Sequence, residues 1–342
     1  MHISRLIGWG VIAAANLGFV ILLGVVFMRF APAEAGYETR LRADLLGAPQ
    51  SDTACDQMFK RYAPNLRDEI FLHHSPVTLG DIGYPEIRLS TNAGGWRDVD
   101  HELEKPADTI RVVLSGDSYA FCTNLDQSDI LSVAMQRAFD QTEESRTTSF
   151  EVFNFGLPGL NFEGMVGVTR HCALPYDPDV VVYTHICDDL SGTDVSSWHR
   201  WSLFWKPKLA FLPPALQEIF LHKLLVGYKE LRYKFDDMRY GSQEELARAR
   251  LQNIVDQLHT LKDSTGHEVL ILNYCRRPFI EEVIQASNKA GQRPIHTLIM
   301  KDVEMDYTQH ATAAATRISA DQIVKRVLEI LASKDSSGAT TK

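Results

Sequence analysis

Short apolar runs that alternate with helical segments dominate the chain from residue 110 onward. Helical patterns at 130–139 and 242–262 separate several of these runs. The runs are rich in β-branched residues, and they read IRVVLS at 110–115, FEVFNF at 150–155, DVVVYTH at 179–185, HEVLILNY at 267–274 and HTLIM at 296–300. Strands that are apolar on both faces and alternate with helices are typical of a parallel sheet covered on both sides. The sequence therefore predicts an α/β three-layer sandwich with a parallel sheet of about five strands.

Residues 1–30 are predicted to form a membrane anchor. The segment from Leu6 to Met28 is nearly unbroken apolar sequence bounded by Arg5 and Arg29, and this length is enough to span a bilayer. A cleaved signal peptide is the alternative, because residues 33–35 read Ala-Glu-Ala and resemble a cleavage site. Basic residues flank the run on both sides and do not decide its orientation. We expect a single-pass membrane protein whose soluble part is extracytoplasmic, in the periplasm.

The remaining chain divides into four predicted segments. Residues 31–105 are rich in Pro and Gly and are predicted to be a stalk and loop-rich lead-in. The α/β domain is expected at 106–335, and its last helix at about 312–332. Within it, the aromatic segment 191–241 does not fit the alternation and is predicted to be an insertion, either a helical subdomain or a lid. Residues 336–342 are expected to be a disordered tail.

Charge and cysteine content exclude several classes of protein. The formal net charge is −9 and no basic stripe is present, so nucleic acid is not an expected partner. The five cysteines lack CxxC spacing, which argues against a disulfide framework but leaves one bridge open. Adjacent side chains of a strand point to opposite faces, and this argues against a metal site at His185, Cys187, Asp188 and Asp189. We expect no metal and no cofactor.

The ends of the predicted strands carry the candidate chemistry. Loops after the carboxyl ends of parallel strands meet in one crevice. The first strand ends at Gly116-Asp117-Ser118, the second at Asn154-Phe155-Gly156, the third at Cys187-Asp188-Asp189, and His310 follows the last strand. A serine, a histidine and free backbone N–H groups are what acyl transfer needs: a nucleophile, a base and oxyanion donors. Each residue also has a purely structural interpretation, as a turn, a cap or a solvated strand end.

These motifs resemble the SGNH, or GDSL-like, hydrolase superfamily, and in particular its membrane-anchored bacterial members. The similar stretches cover residues 88 to about 332 apart from the insertion, and they are STNAGGWRDVDHELEKPADTIRVVLSGDS, VFNFGLPG, PDVVVYTHICDD and DYTQHATAAATRISADQIV. The resemblance implies the flavodoxin-like fold of that superfamily. It also implies that Ser118 is the nucleophile, that His310 is the base, and that the backbone N–H groups of Ser118 and Gly156 stabilise the oxyanion.

Two positions depart from the pattern of the superfamily. Asp188 stands where the third motif has an asparagine that donates to the oxyanion, and a carboxyl can donate only when it is protonated. Asp306 precedes His310 by four residues, whereas the superfamily usually places its aspartate three residues before the histidine. Asp306 is expected to orient the imidazole of His310, with a backbone carbonyl in a Ser-His dyad as the alternative.

The sequence therefore favours a serine esterase or acyl-transfer enzyme. The resemblance implies acylated glycan, such as O-acetylated cell-surface polysaccharide, as a substrate, while the residues themselves fit a lipid-like ester equally well. A non-catalytic, membrane-tethered binding or assembly protein is the alternative from another class. Cys122 and Cys187 lie near the motifs and are alternative nucleophiles, although neither occupies the turn that carries Ser118.

Overall fold

The computed structural model describes most of the chain beyond residue 53. The described residues are 53–59, 61–71, 87–185, 190, 242–274, 277–288, 293–300, 303–304 and 310–338. The chain divides into two compact units, of which residues 44–73 and 85–342 form the second. The first unit, residues 1–43 and 74–84, lies outside the described residues, as does the insertion predicted at 191–241. Among the described helices, none is long and apolar enough to cross a bilayer, and the predicted anchor at 1–30 is not among them.

Seven strands and seven α-helices are numbered here in chain order within the described residues. The strands are β1 Glu69–Phe71, β2 Ile87–Leu89, β3 Thr109–Gly116, β4 Ser149–Gly156, β5 Val180–His185, β6 Glu268–Asn273 and β7 His296–Ile299. The helices are α1 Ala54–Met58, α2 Ser118–Phe121, α3 Leu131–Asp140, α4 Phe162–Val168, α5 Gln243–Thr265, α6 Pro278–Asn288 and α7 Ala313–Gly338.

The main sheet contains five parallel strands in the order β4-β3-β5-β6-β7. Alternate residues of each strand enter two separate cores, as the two-fold period of a strand requires. On one face Val113, Val181 and Ile271 pack with helices α4, α5 and α6, and on the other face Val112 and Leu114 pack with α3 and α7. The predicted parallel sheet with flanking helices is confirmed.

Helix α7 is longer than the helix that the sequence predicts. It ends at Gly338 rather than near 332, so residues 336–338 of the predicted tail are helical. No proline or glycine interrupts the segment before Gly338, and each added helical residue gains a backbone hydrogen bond. Ile323, Val324 and Val327 are buried, whereas Ile318 is 59% exposed and lies outside the apolar stripe.

The lead-in is fastened to the α/β domain by a disulfide. Cys55 of α1 bonds to Cys172, which lies on a π-helical segment at Thr169–Ala173 that continues α4. Phe59 and Trp96, also from the lead-in, are buried in the same core as α4. Residues assigned to the lead-in therefore contribute directly to the packing of the domain. Among the described cysteines, this pair forms the bridge that the cysteine content left open.

Replacing both Cys55 and Cys172 with alanine is expected to lower the free energy of unfolding by about 2–4 kcal/mol, because the bridge closes a loop of 117 residues in the unfolded chain. Urea unfolding of the oxidised protein measures the change. Dithiothreitol should destabilise the natural sequence by a similar amount and leave the double variant unaffected. Equal stability of the two oxidised proteins would contradict the prediction.

Candidate active site

Ser118 lies at the sharp turn between β3 and helix α2. Asp117 caps the helix, and its Oδ1 accepts a hydrogen bond of 2.9 Å from the Tyr119 N–H. A side chain at Gly116 would overlap Thr184 Oγ1 of the neighbouring strand, so glycine is required for the strand to end there. The turn therefore places Ser118 as the first residue of α2, at the carboxyl edge of the sheet.

His310 faces Ser118 across the crevice. Its Nε2 lies 2.8 Å from Ser118 Oγ, although the two residues are 192 positions apart in the chain. The Thr123 hydroxyl is also near the imidazole, with Oγ1 at 3.5 Å from the same Nε2. The Tyr119 ring lies against the imidazole, with 5.1 Å between ring centroids. A serine hydroxyl within hydrogen-bond reach of an imidazole nitrogen is the geometry of a nucleophile and its base.

Gly156 is buried beside the nucleophile helix. A Cβ at this position would lie 2.5 Å from the Phe121 nitrogen, so glycine allows α2 to approach β4. Its N–H donates to Asn154 Oδ1 at 2.9 Å, within the protein interior. To bind an oxyanion, this N–H has to leave the Asn154 oxygen. Gly159, the other glycine of the VFNFGLPG motif, is exposed and has a φ of 78°.

The structure brings together Ser118, His310 and the end of β4. Asp188, Asp306 and Cys187 lie outside the described residues, so the oxyanion role of Asp188 and the orienting role of Asp306 stay predictions. The group His185, Cys187, Asp188 and Asp189, which the sequence argues against as a metal site, also lies largely outside the described residues. Within the part of the chain that is described, no group of three or more His, Cys, Asp or Glu residues could hold a metal ion.

Cys122 is poorly suited to act as the nucleophile. Burial raises the pKa of its thiol to about 11, so the reactive thiolate is scarce at neutral pH. The sulfur also accepts a hydrogen bond from the Leu131 N–H and donates one to the Tyr119 carbonyl. Cys122 ends α2 in a left-handed conformation with a φ of 57°, and its side chain packs among buried residues of the core. Its role is therefore structural.

A pocket extends from Ser118 and His310 between helices α3 and α7. Its lining includes residues that the sequence interpretation did not single out, namely Tyr119, Asn124, Leu131, Tyr274, Thr316 and Ser319. Burial is the main cause that raises the pKa of Tyr274, whose hydroxyl hydrogen-bonds with Ser319. Tyr274 follows directly after β6. The rule that strand ends line the crevice would have identified it.

Arg97 supports the turn behind the nucleophile. Its guanidinium is almost fully buried and donates to the carbonyl oxygens of Phe121 at 3.0 Å, Cys122 at 2.6 Å and Leu125 at 2.6 Å. It also donates to the Arg88 carbonyl. Burial lowers the pKa of Arg97 to about 10, which still leaves it a cation at neutral pH. In the sequence, this role of Arg97 is indicated only by its place in the GGWRD segment of the lead-in.

Comparison with known proteins finds solved structures that have low similarity to this chain. No protein family and no curated protein sequence matches the chain. A family 3 carbohydrate esterase from Clostridium thermocellum is 14% identical, with a TM-score of 0.40 over 66% of this chain and 98% of that one. A lipase/acylhydrolase from Enterococcus faecalis is 15% identical, with a TM-score of 0.36 over 64% and 95% of the two chains.

A catalytic mutant of an acetylxylan esterase from Geobacillus stearothermophilus is 9% identical, with a TM-score of 0.36 over 63% of this chain and 93% of the other. All three of these proteins are described as acting on esters. At such identities and TM-scores the likeness carries no argument about function. The functional assignment therefore depends on the geometry of the site.

Proposed function

We propose that the chain is a serine esterase or acyl-transfer enzyme that acts on ester-linked acyl groups. The observation that carries the proposal is the 2.8 Å separation between Ser118 Oγ and His310 Nε2 at the carboxyl edge of the sheet. A serine becomes a useful nucleophile when a neighbouring base can take its proton, and these two atoms are already within that reach.

The proposed mechanism begins with proton transfer from Ser118 Oγ to His310 Nε2 as the oxygen attacks the ester carbonyl carbon. The carbonyl oxygen becomes an oxyanion, which the Ser118 N–H can meet because it lies in the first helical turn, where no intrahelical acceptor exists. Gly156 and Asp188 are proposed as further donors, and Asp306 is proposed to orient the imidazole. His310 then gives the proton to the leaving alkoxide. In the second half of the reaction His310 takes a proton from water or another hydroxyl as it attacks the acyl carbon, and returns it to Ser118 Oγ when the bond between Ser118 and the acyl group breaks.

Acylated glycan is the substrate we propose, with O-acetyl groups of cell-surface polysaccharide as the specific case. The sequence resemblance supports this choice over a lipid-like ester. The disulfide between Cys55 and Cys172 supports an extracytoplasmic, periplasmic location, because such bridges persist in oxidising compartments. We further propose that residues 1–30 tether the domain to the membrane.

A non-catalytic binding or assembly protein is the second candidate. It is favoured by the hydrogen bond from the Gly156 N–H to Asn154 Oδ1, which occupies a proposed oxyanion donor. The aspartate at position 188 favours it as well, because an ionised carboxylate would repel the oxyanion. In this case the crevice would bind a ligand without attacking it.

A fluorophosphonate probe distinguishes the two candidates, because it reacts covalently with an activated serine. The natural sequence is expected to be labelled and Ser118→Ala is expected to lose the label. Ser128→Ala is the matched control, since Ser128 is an exposed serine on the connection to α3, and it should label normally. Absence of labelling in the folded natural protein would favour the binding protein, and equal labelling of Ser118→Ala would remove Ser118 from the mechanism.

A further inference from the structure

Ser118 and His310 belong to two separate segments, and the relative position of these segments sets the distance between the two side chains. Ser118 begins helix α2, whereas His310 lies just before helix α7 and outside regular structure. The turn after α2, residues 121–125, reaches across to the histidine segment. There Asn124 Nδ2 donates a hydrogen bond of 3.0 Å to the carbonyl oxygen of Ala311, the residue next to His310.

The donor end of this bond is fixed relative to Ser118. Within the turn, the Cys122 N–H donates to the Ser118 carbonyl at 2.8 Å, and the Leu125 N–H donates to the Cys122 carbonyl at 3.1 Å. Arg97 holds the carbonyl oxygens on either side of Asn124 from within the core. A shift of the backbone of the His310 segment relative to Ser118 therefore has to stretch or break the bond between Asn124 and Ala311.

The alternative position for the imidazole is close. Thr123 Oγ1 lies 3.5 Å from His310 Nε2, against 2.8 Å for Ser118 Oγ, so a shift of less than 1 Å toward Thr123 would bring the imidazole into an equally short contact with the Thr123 hydroxyl. Displacements of this size at a reacting atom lower rates by up to about 100-fold. A single hydrogen bond is worth only about 1 kcal/mol of stability, so a positioning effect on rate can be separated from a loss of folding.

We infer that Asn124 is a positioning residue that keeps His310 Nε2 on Ser118 Oγ by holding the Ala311 carbonyl. The inference rests on the proposed function for its effect on rate, but the placement of His310 can be measured without any activity. An amide is required at this position because Nδ2 donates to the carbonyl. A carboxylate of the same shape would bring two acceptors together.

The test uses Asn124→Ala and the isosteric Asn124→Asp in the full chain, with 4-nitrophenyl acetate as the ester. Both variants are expected to lower kcat by about 10- to 100-fold while KM stays within about threefold, and Asn124→Asp should be the slower of the two. Asn288→Ala is the matched control. Its Nδ2 also donates to a backbone carbonyl, that of Ile295 at 2.8 Å. Ile295 directly precedes β7, at the amino end of the strand, whereas the Ser-His pair lies at the carboxyl edge of the sheet. It should keep the kcat of the natural sequence.

A second readout is the imidazole spectrum of His310 in protein with ¹⁵N-labelled histidine. The Asn124 variants should shift the His310 ring resonances, and Asn288→Ala should leave them in place. If the natural protein is active, a normal kcat in both Asn124 variants overturns the inference. If the natural protein has no esterase activity, the proposed function fails, while a His310 shift confined to the Asn124 variants still supports the inference and unshifted resonances overturn it. Asn124→Asp supplies the answer if Asn124→Ala does not fold.

Discussion

His310→Gln is expected to lower kcat/KM for a soluble ester by about 10⁴-fold, because glutamine cannot accept the proton of Ser118. Glutamine keeps a polar side chain of similar size, so the fold should be retained. The Ser118 hydroxyl would remain in place but would be no more nucleophilic than a free alcohol. The rate of fluorophosphonate labelling should fall together with kcat/KM, since both reactions need the same base.

The matched control is His171→Gln, a half-buried histidine on the π-helical segment that continues α4. It should retain nearly full activity and labelling. Steady-state kinetics with 4-nitrophenyl acetate and a time course of probe labelling supply the measurements. A His310→Gln enzyme within about tenfold of the natural sequence would show that another group activates Ser118, and would assign the short contact between them a structural role.

Arg97→Met is expected to lower the free energy of unfolding by about 3–5 kcal/mol. Methionine fills part of the space, but it removes the guanidinium donor from the carbonyl oxygens of Phe121, Cys122, Leu125 and Arg88, of which Cys122 keeps the Leu125 N–H as a second donor. Each buried carbonyl that loses its partner costs about 1–3 kcal/mol, partly offset because the buried cation is removed. The guanidinium also lies 5.2 Å from the centre of the Phe121 ring, and this contact is lost as well.

Urea unfolding followed by tryptophan fluorescence measures this change. Arg326→Met is the matched control, because Arg326 pairs with Glu329 on the surface of α7, and its removal should cost less than about 1 kcal/mol. Arg97→Lys should also be strongly destabilised, since an ammonium group cannot reach acceptors in the planar arrangement that a guanidinium serves. A loss below about 1 kcal/mol in Arg97→Met would mean that water or a shifted backbone replaces the four bonds.

Local sequence patterns were sufficient to predict the parallel sheet and the proximity of two candidate site residues, Ser118 and His310. The central strands are buried on both faces, and this produces continuous apolar runs such as IRVVLS that identify them. Ser118 and His310 could be paired because one ends a strand, the other precedes the last helix, and both positions lie at the carboxyl edge. The predicted topology was therefore enough to place Ser118 and His310 at the same edge of the sheet, although 192 positions separate them in the chain.

Other features depend on individual side-chain contacts, and the spacing of apolar residues along the sequence does not predict these. The partner of Cys55 was unknown because α1 and the segment after α4 approach each other only in the folded chain. The Gly156 N–H was predicted to be available, and the rotamer of Asn154 decides that it is engaged. The role of Arg97 could not be predicted from the sequence, since three of the four carbonyl oxygens that it binds come from a segment 24 to 28 residues away.

The facing glycines Gly116 and Gly156 limit how this site can be redesigned. They occupy opposite positions of β3 and β4, and Ala120 of the nucleophile helix lies against both of them. Any side chain added at either position would push the helix away from the sheet and carry Ser118 with it. Combinatorial libraries aimed at new substrate specificity should therefore keep this pair invariant and place their diversity at other residues that line the pocket, such as Leu131, Thr316 and Ser319.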